Sequence, residues 1–442
     1  MLWIAGPIAG LLVQPIIGEW SDRTTGRWGR RRPFMASGAI LTAGALVAMA
    51  YAPSVWAAAL ALWLLTFSIN IVMEPFRALM GDLAPAEERD QGFSMQVLFI
   101  GAGAVFASVL PWMFVNWGGV PAGDLTGRIP PSVRDSFVLG ALGLLLTVMW
   151  TVAMTRERPL ARAARSSPAH IPERDRMPQS HMMKRGAGWV ALSIAIAVGN
   201  GIWIQRREAY LLATILGLFG ALHWLAARSS IAGRNPLTGI ASEVIGMPRA
   251  MRRLALAQFF TWLGLFAFWV YAVPAVAQRY YGNPLPGSVP YENAANWVGM
   301  LFAAYNGVAV MAALGLPSLV ARLGRRRTHA LCVAIAALGL LSFVTSPTPD
   351  WLWVSVFAIG TGWAAILAIP YAIVAAAVPA DRMGVYMGIH NVFLVLPQLA
   401  AAALLGPIVR TLLHGNVAGA ILIAGGAMLV GSTVTLTIPT ID

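Results

Sequence analysis

The sequence predicts an all-α protein that crosses a membrane many times and contains two parallel six-helix repeats. Hydrophobic residues make up 58% of the 442 positions and charged residues only 11%, a balance that excludes a soluble domain of this length. The apolar residues fall into separate segments of about 17–27 residues, the length that a hydrocarbon core of roughly 30 Å requires. We place these segments at residues 2–18, 34–51, 55–79, 93–116, 136–154, 187–205, 209–227, 254–277, 294–320, 329–346, 351–376, 384–408 and 417–437.

Arginine-rich loops orient the predicted spans. The loop after the first span holds five arginines between Arg23 and Arg32, and residues 155–186 and 227–253 are also rich in arginine. These segments fall on the same side when the spans alternate, and short basic loops mark the cytoplasmic side. Topology therefore accounts for the net charge of +13, whereas nucleic-acid binding would need a continuous basic surface.

Two markers repeat along the chain at the same offset. The sequence GRRR occurs at residues 29–32 and again at 324–327, and the proline–aromatic pair at 75–76 recurs at 370–371; both are 295 residues apart. The sequence GFSM at 92–95 is echoed by GVYM at 384–387, shifted by three residues. Two parallel halves, each with an arginine loop after a corresponding helix, are typical of a two-lobed transporter built by duplication. The second GRRR copy has no acidic residue near it in sequence, which predicts a degraded charge network there.

The repeat also sets the predicted domain boundaries. We expect an N-terminal lobe at 1–154, a flexible cytoplasmic linker at 155–186, an accessory transmembrane hairpin at 187–227, a cytoplasmic connector at 228–253 and a C-terminal lobe at 254–442. The counterpart of helix 254–277 would begin before residue 1. We therefore expect the first helix of the N-terminal lobe to be missing through truncation; a lobe of five helices is the alternative.

Polar residues line one face of the third span. Thr66, Asn70, Glu74 and Arg77 are spaced i, i+4, i+8 and i+11, which places them on one side of an α-helix. A charge at bilayer depth costs roughly 2.5–3.5 kcal/mol on insertion scales, so these groups must face protein or water. The face therefore either lines a solute pathway or holds an internal Glu74–Arg77 pair that only locks helices together.

No pattern of an enzyme is present. The single cysteine, Cys332, lies in an apolar span, which leaves no disulfide or metal framework. We find no metal-ligand spacing, nucleotide-binding loop or nucleophile motif, and we expect no cofactor.

Four segments resemble a known family. GPIAGLLVQPIIGEWSDRTTGRWGRRRPF (Gly6 to Phe34) resembles the second helix and following loop of plant sucrose–proton symporters and their bacterial and animal relatives, a branch of the major facilitator superfamily. Residues 73–85, 251–262 and 369–398 are similar to the bacterial members. The resemblance covers nearly the whole chain except the linker and the hairpin. It implies a twelve-helix, two-lobe fold with alternating access, and a sugar of the disaccharide class (sucrose or maltose type) moved with a proton. We expect a monomer in a bacterial inner membrane, driven by the proton gradient and without nucleic-acid partners.

Two positions depart from this family. Thr66 stands where similar members carry an aspartate suited to proton coupling, and His390 stands where bacterial relatives usually have an aromatic residue. His390 could carry a proton in a relay or donate one hydrogen bond between helices. The predicted proton-coupling residues are Glu74, Arg77 and His390, with Glu74 as first choice.

Sugar recognition requires planar apolar faces for ring C–H groups, with amides and carboxylates for the hydroxyls. Amides and aromatic residues with helical spacing meet this requirement, although singly each could be an interfacial tryptophan or an interhelical hydrogen bond. The predicted substrate-binding residues are Asn70, Gln96, Gln258, Trp262, Trp269, Tyr305, Asn306, Asn391 and Gln398.

The first arginine loop is the predicted cytoplasmic gate. Glycine permits close helix approach, Asp22 can face a helix N-terminus in the other lobe, and the arginines can pair with Asp82. The predicted gate residues are Gly18, Asp22, Arg23, Gly29, Arg30, Arg31 and Asp82. The alternative is that the arginines only keep the loop in the cytoplasm.

Proton-coupled uptake of a disaccharide or related glycoside is the leading functional hypothesis. The alternatives are drug or metabolite efflux on the same fold, and a non-transporting sensor or truncated inactive chain.

Overall fold

The computed structural model describes residues 5–119, 129–157, 179–205, 207–228, 240 and 243–440. Regular structure in these ranges is helical, without a strand. Eleven helices among these residues are long and apolar enough to cross a membrane. The prediction of an all-α protein with many membrane spans is therefore confirmed.

Each predicted apolar segment coincides with a helix. The helices are α1 (Ala5–Arg23), α2 (Arg32–Ala50), α3 (Val55–Leu83), α4 (Arg89–Asn116), α5 (Pro131–Met154), α6 (Gln179–Gly199), α7 (Arg207–Arg228), α8 (Arg249–Tyr280), α9 (Val289–Leu323), α10 (Arg325–Thr345), α11 (Leu352–Ala377), α12 (Met383–Thr411) and α13 (Ala418–Thr435).

Two of these helices are not among the eleven. Helix α1 ends in the polar residues Glu19, Asp22 and Arg23, which lower its mean hydropathy, and the apolar part of α7, Ala209–Trp224, is shorter. Helix α6 continues into a π-helical turn at Asn200–Ile204.

The predicted linker is too long at its C-terminal end. Helix α6 begins at Gln179, so residues 179–186 are helical rather than part of a flexible segment. The helix begins directly after Pro178, the last proline of the linker. Proline interrupts helices, whereas the polar residues that follow Pro178 are compatible with a helix. Residues 158–178 of the predicted linker, and 229–239 with 241–242 of the predicted connector, lie outside the described residues.

The chain divides into two compact units, and two short segments are exchanged between these units relative to the predicted lobes. Unit 1 falls within Met1–Arg89, Ile100–Ala169 and Val378–Asn391, and unit 2 within Asp90–Phe99, His170–Ala377 and Val392–Asp442. The exchanged segments are the first turns of α4 and α12, two helices that the sequence repeat relates.

Packing in each unit relies on close helix approach. In unit 1, α2 packs on α3 and α5, and a Cβ at Gly38 would lie 2.8 Å from the Val72 side chain. In unit 2, α8 packs on α13, α10 on α11 and α9 on α11. Helices α6 and α7 pack on each other, and a Cβ at Gly220 would lie 2.7 Å from the Gly186 carbonyl oxygen. The accessory hairpin is thus a tight antiparallel pair within unit 2.

Candidate functional site

A buried arginine lies at the centre of the first loop, in unit 1. Arg31 is completely buried, with Nη2 2.5 Å from Asp22 Oδ1 and Nε 3.1 Å from Asp82 Oδ2. Arg30 Nη2 lies 2.8 Å from Asp82 Oδ1. Burial by itself would lower the pKa of Arg31, but the adjacent Asp22 and Asp82 carboxylates together raise it above its usual value. The guanidinium therefore remains charged, and its burial is compensated by two carboxylates.

Asp22 has a second role, at the start of α12. Its Oδ1 accepts a hydrogen bond from Gly384 N at 3.1 Å, and its Oδ2 accepts one from Val385 N at 2.8 Å. The first backbone N–H groups of a helix lack intrahelical acceptors, and the helix dipole favours a carboxylate there. A Cβ at Gly384 would lie 2.7 Å from the Gly18 carbonyl oxygen, so α1 and α12 touch backbone to backbone. The glycine at position 18 is required for this contact.

Sequence analysis missed the carboxylate that shapes the loop. Glu157 accepts hydrogen bonds from the backbone N–H groups of Arg30, Arg31 and Arg32 at 2.8, 2.9 and 2.9 Å. Gly29 has φ 84°, and a Cβ there would lie 2.6 Å from the Glu157 carboxylate. Glycine is therefore needed at position 29 for both its backbone conformation and this contact. Glu157 belongs to the segment that composition assigned to the linker, so no local signal marked it.

Glu19 is a second missed carboxylate. It is completely buried in α1, with Oε1 2.5 Å from Arg23 Nε and Oε2 3.3 Å from Arg382 Nη1. Arg23, a predicted gate residue, thus pairs with its own helix. The spacing of four residues between Glu19 and Arg23 was a readable signal for this pair.

The prediction of a degraded charge network at the second arginine loop is wrong. In unit 2, Arg325 Nε lies 2.7 and 2.9 Å from the two carboxylate oxygens of Asp90. The partner is distant in sequence, so a search for a neighbouring acid could not find it. Asp90 lies in the first turn of α4, the helix that the sequence repeat relates to α12. The first arginine loop therefore lies against the start of α12, and the second lies against the start of α4. The sequence repeat relates these two helices.

We expect a charge-reversal test to detect the Arg325–Asp90 pair. Arg325→Glu and Asp90→Arg should each lower the free energy of unfolding by about 1 kcal/mol, because both side chains are mostly buried and each change places like charges together. The double variant should recover most of the loss. Thermal unfolding in detergent measures this, with Arg327→Glu as an exposed control in the same loop. Additive losses in the double variant would contradict the pairing.

The predicted polar face of α3 lies in unit 1, where Glu74 is buried and Thr66, Asn70 and Arg77 are half-buried. Glu74 is completely buried, and its Oε1 accepts hydrogen bonds from Asn391 Nδ2 at 2.6 Å and from Arg77 Nη1 at 3.1 Å. Arg77 Nη1 also donates to Asn391 Oδ1 at 3.2 Å. The three side chains form a closed triad between α3 and α12. Glu74 Oε2 is buried without a hydrogen-bond partner among the described residues.

A second set of amides lies along the same face. Gln14 of α1 donates from Nε2 to Asn70 Oδ1, and Asn70 Nδ2 donates to the Thr66 carbonyl oxygen at 2.7 Å. The Thr66 hydroxyl donates to the Leu62 carbonyl oxygen at 2.7 Å, so its hydrogen bond is made within α3. His390 precedes the triad residue Asn391 in sequence and is completely buried. The Glu74–Arg77 pair therefore exists, and it is part of a larger polar cluster.

The remaining predicted substrate residues lie in unit 2. Gln258 and Trp262 are buried on α8, and the Trp262 and Trp269 ring centroids are 6.1 Å apart. Tyr305 is buried on α9, whereas Asn306 donates to the Phe302 carbonyl oxygen of its own helix at 2.8 Å. The half-buried residues of this set are Gln96, Trp269, Asn306 and Gln398. The structure thus brings Asn391 to Glu74 in unit 1, and gathers the aromatic candidates in unit 2.

Comparison with known proteins identifies the family. The sequence model described as Major Facilitator Superfamily matches residues 2–402 and 254–440. The sucrose transport protein SUC3 of Arabidopsis thaliana is 24% identical over 494 residues, covering 100% of this chain and 81% of the relative. The proton-associated sugar transporter A of Rattus norvegicus is 32% identical over 189 residues, covering 38% and 24%. The general alpha-glucoside permease of Schizosaccharomyces pombe is 31% identical over 175 residues, covering 36% and 30%.

Solved structures share the fold. The proton:xylose symporter XylE superposes with a TM-score of 0.60 at 14% identity, covering 98% of this chain and 85% of that one. The transporter FucP, in its outward conformation, gives a TM-score of 0.61 at 14% identity, covering 99% and 89%. The helices, the repeat and the family match agree, and the chain belongs to the major facilitator superfamily of multi-pass membrane transporters, which are not enzymes.

Proposed function

We propose that this chain takes up a disaccharide or related α-glucoside, of the sucrose or maltose type, together with a proton. The relatives support the substrate class by name, because they include a sucrose transport protein, a proton-associated sugar transporter and an α-glucoside permease. The observation that carries the proposal is the buried carboxylate of Glu74, held between Arg77 and Asn391. A buried acid in a membrane helix is the group that a proton-driven carrier needs.

Glu74 would act as the proton-coupling group. Thr66 stands where similar family members carry an aspartate, and its hydroxyl does not exchange a proton in the physiological pH range. Protonation removes the negative charge that holds Arg77 and adds a donor to a carboxyl group that otherwise only accepts. The contact to Asn391 must then rearrange, and Asn391 lies on a different helix from Glu74. Loading of a proton would thereby alter the packing of α3 against the first turns of α12. His390 stays the second candidate for the relay.

The sugar would be bound by amides and aromatic rings. Gln258, Trp262, Trp269 and Tyr305 of unit 2 offer polar and planar apolar contacts. Asn70 and Asn391 of unit 1 stay predictions for polar contacts to the sugar. A mixture of this kind suits a pyranose, which presents hydroxyls at its edge and C–H groups on its faces. Gln96, Asn306 and Gln398 stay predictions for the same role.

The contacts of Asp22, Arg31 and Asp82 would form the gate. In alternating access, contacts on one side of the membrane hold one end state and break in the other. The Asp22 cap on α12 suits this role because it joins a charged loop to a helix that also carries Asn391. We propose that the protein works as a monomer in the bacterial inner membrane, without a cofactor or nucleic acid. We also propose that its lobes follow the predicted boundaries, with the linker ending at residue 178.

Uptake into proteoliposomes tests the proposal. With labelled sucrose or maltose and an inward proton gradient, we expect accumulation well above the outside concentration, abolished by a protonophore. If sugar enters only until its inside and outside concentrations are equal, whatever the proton gradient, the protein transports sugar and proton coupling is rejected. No entry of either sugar, compared with protein-free liposomes, would reject uptake and leave the efflux and sensor hypotheses.

A further inference from the structure

Trp363 of α11, a residue that sequence analysis did not select, lies among the aromatic candidates of unit 2. Its ring centroid is 5.8 Å from that of Trp262, 5.5 Å from that of Trp269 and 6.3 Å from that of Tyr305. The ring planes meet at 73°, 89° and 74°, the edge-to-face arrangement that aromatic pairs prefer. Trp363 thus contacts all three other rings and joins α11 to α8 and α9. We call these four residues the aromatic cluster.

Two glycines just before Trp363 set its position. A Cβ at Gly360 would lie 2.6 Å from the Tyr305 carbonyl oxygen, and one at Gly362 would lie 2.7 Å from the Cys332 carbonyl oxygen. Helix α11 therefore approaches α9 and α10 at backbone distance on either side. This close approach leaves little freedom for Trp363 to move relative to Tyr305.

The aromatic cluster borders two polar atoms without partners. Gln258 Oε1 and Trp262 Nε1 are buried and lack hydrogen-bond partners among the described residues. They lie one turn apart on α8, and one is an acceptor while the other is a donor. Leaving such groups unpaired in an apolar environment is unfavourable. A ligand hydroxyl group can donate to Gln258 Oε1, and a ligand hydroxyl oxygen can accept from Trp262 Nε1.

The rings are not all sealed into the core. Trp262 and Tyr305 are buried, but Trp269 and Trp363 are only half-buried although they pack against the core of unit 2. Half-exposed rings beside an unpaired acceptor and an unpaired donor form a surface that a ring-shaped polar ligand can cover. The combination matches a glycoside ring, with its apolar C–H face on an aromatic ring and its hydroxyls at Gln258 and Trp262.

We propose that the aromatic cluster is a saccharide subsite, and that Trp363 is a substrate-binding residue that determines affinity for the glycoside. This inference rests on the proposed function, because it requires that the transported molecule is a sugar. Trp363 supplies the planar face, and Gln258 and Trp262 bind sugar hydroxyls. The subsite has no part in moving the proton.

Affinity and stability together test the subsite. For Trp363→Phe we expect the KM for sucrose or maltose in proteoliposomes to rise about tenfold, with the maximal rate within about twofold, because a smaller ring offers less stacking area. Trp353→Phe is the matched control, since Trp353 forms an edge-to-face pair with Trp297 in the same unit, outside the aromatic cluster. The thermal midpoints of the two variants in detergent should be similar.

Gln258→Met separates binding from packing. The variant keeps the side-chain volume and removes the unpaired acceptor, so we expect an unchanged or higher thermal midpoint together with a KM about tenfold higher. If wild type transports sugar and both variants keep the wild-type KM, the subsite is rejected while the proposed function stands. If wild type transports neither sugar, the proposed function fails and the subsite fails with it.

Discussion

Glu74→Gln is expected to abolish sugar accumulation against a gradient while leaving sugar exchange intact. Glutamine keeps the size of the side chain and an oxygen that can accept from Asn391 Nδ2, now 2.6 Å from Glu74 Oε1. It removes the charge beside Arg77 and cannot take up a proton, so the proton gradient no longer drives the cycle. In proteoliposomes, the accumulation ratio should fall to one, and counterflow of labelled sugar should continue without dependence on pH.

Two further variants sharpen this prediction. Glu74→Ala should also lose stability, by about 3–5 kcal/mol, because it deletes one member of a buried ion pair. Glu87→Gln makes the same chemical change at an exposed position after α3 and should behave as wild type. Accumulation by Glu74→Gln at the wild-type level would move proton coupling to another group, and His390→Gln would then be the variant to measure.

Asp22→Ala is expected to lower the free energy of unfolding by about 3–5 kcal/mol and to stop transport. The change takes one of two carboxylates from the completely buried Arg31 and removes the acceptor for the Gly384 and Val385 N–H groups. Asp22→Asn should fall between Asp22→Ala and wild type, since asparagine can still accept one of those hydrogen bonds but carries no charge. Thermal unfolding in detergent gives the order.

Asp350→Ala provides the control, because this aspartate is exposed just before α11 and its loss should change the midpoint little. Equal midpoints for Asp22→Ala and Asp350→Ala would mean that the contacts of Asp22 contribute nothing to stability. A stable Asp22→Ala that still transports would reject the gate role.

Much of the fold could be predicted because the bilayer leaves few choices. Backbone polar groups must be satisfied within each span, so an apolar run of sufficient length has to be a helix. Helix ends were harder: α3 continues to Leu83, four residues past its predicted end, and α6 begins within the predicted linker. Polar ends of helices are not distinguished from loops by hydropathy, because both can face water.

The partners of charged groups were the least predictable part. Spacing along one helix suggested the Glu74–Arg77 pair. Asp90, the partner of Arg325, and Glu157, the partner of the first arginine loop, are far in sequence from the groups that they bind. Such pairs depend on how helices pack, which local spacing does not encode. Trp363 was missed for the same reason, since a lone tryptophan in an apolar span resembles any membrane-facing one until its neighbours are known.

Glu157 accepts hydrogen bonds from three backbone N–H groups, and this matters if the transporter is expressed as two separate pieces. The break belongs after residue 157, because a cut before it would strip the first piece of the carboxylate that shapes its own arginine turn. A piece ending at Met154 would keep α1 to α5 and lack the acceptor for the backbone N–H groups of Arg30, Arg31 and Arg32.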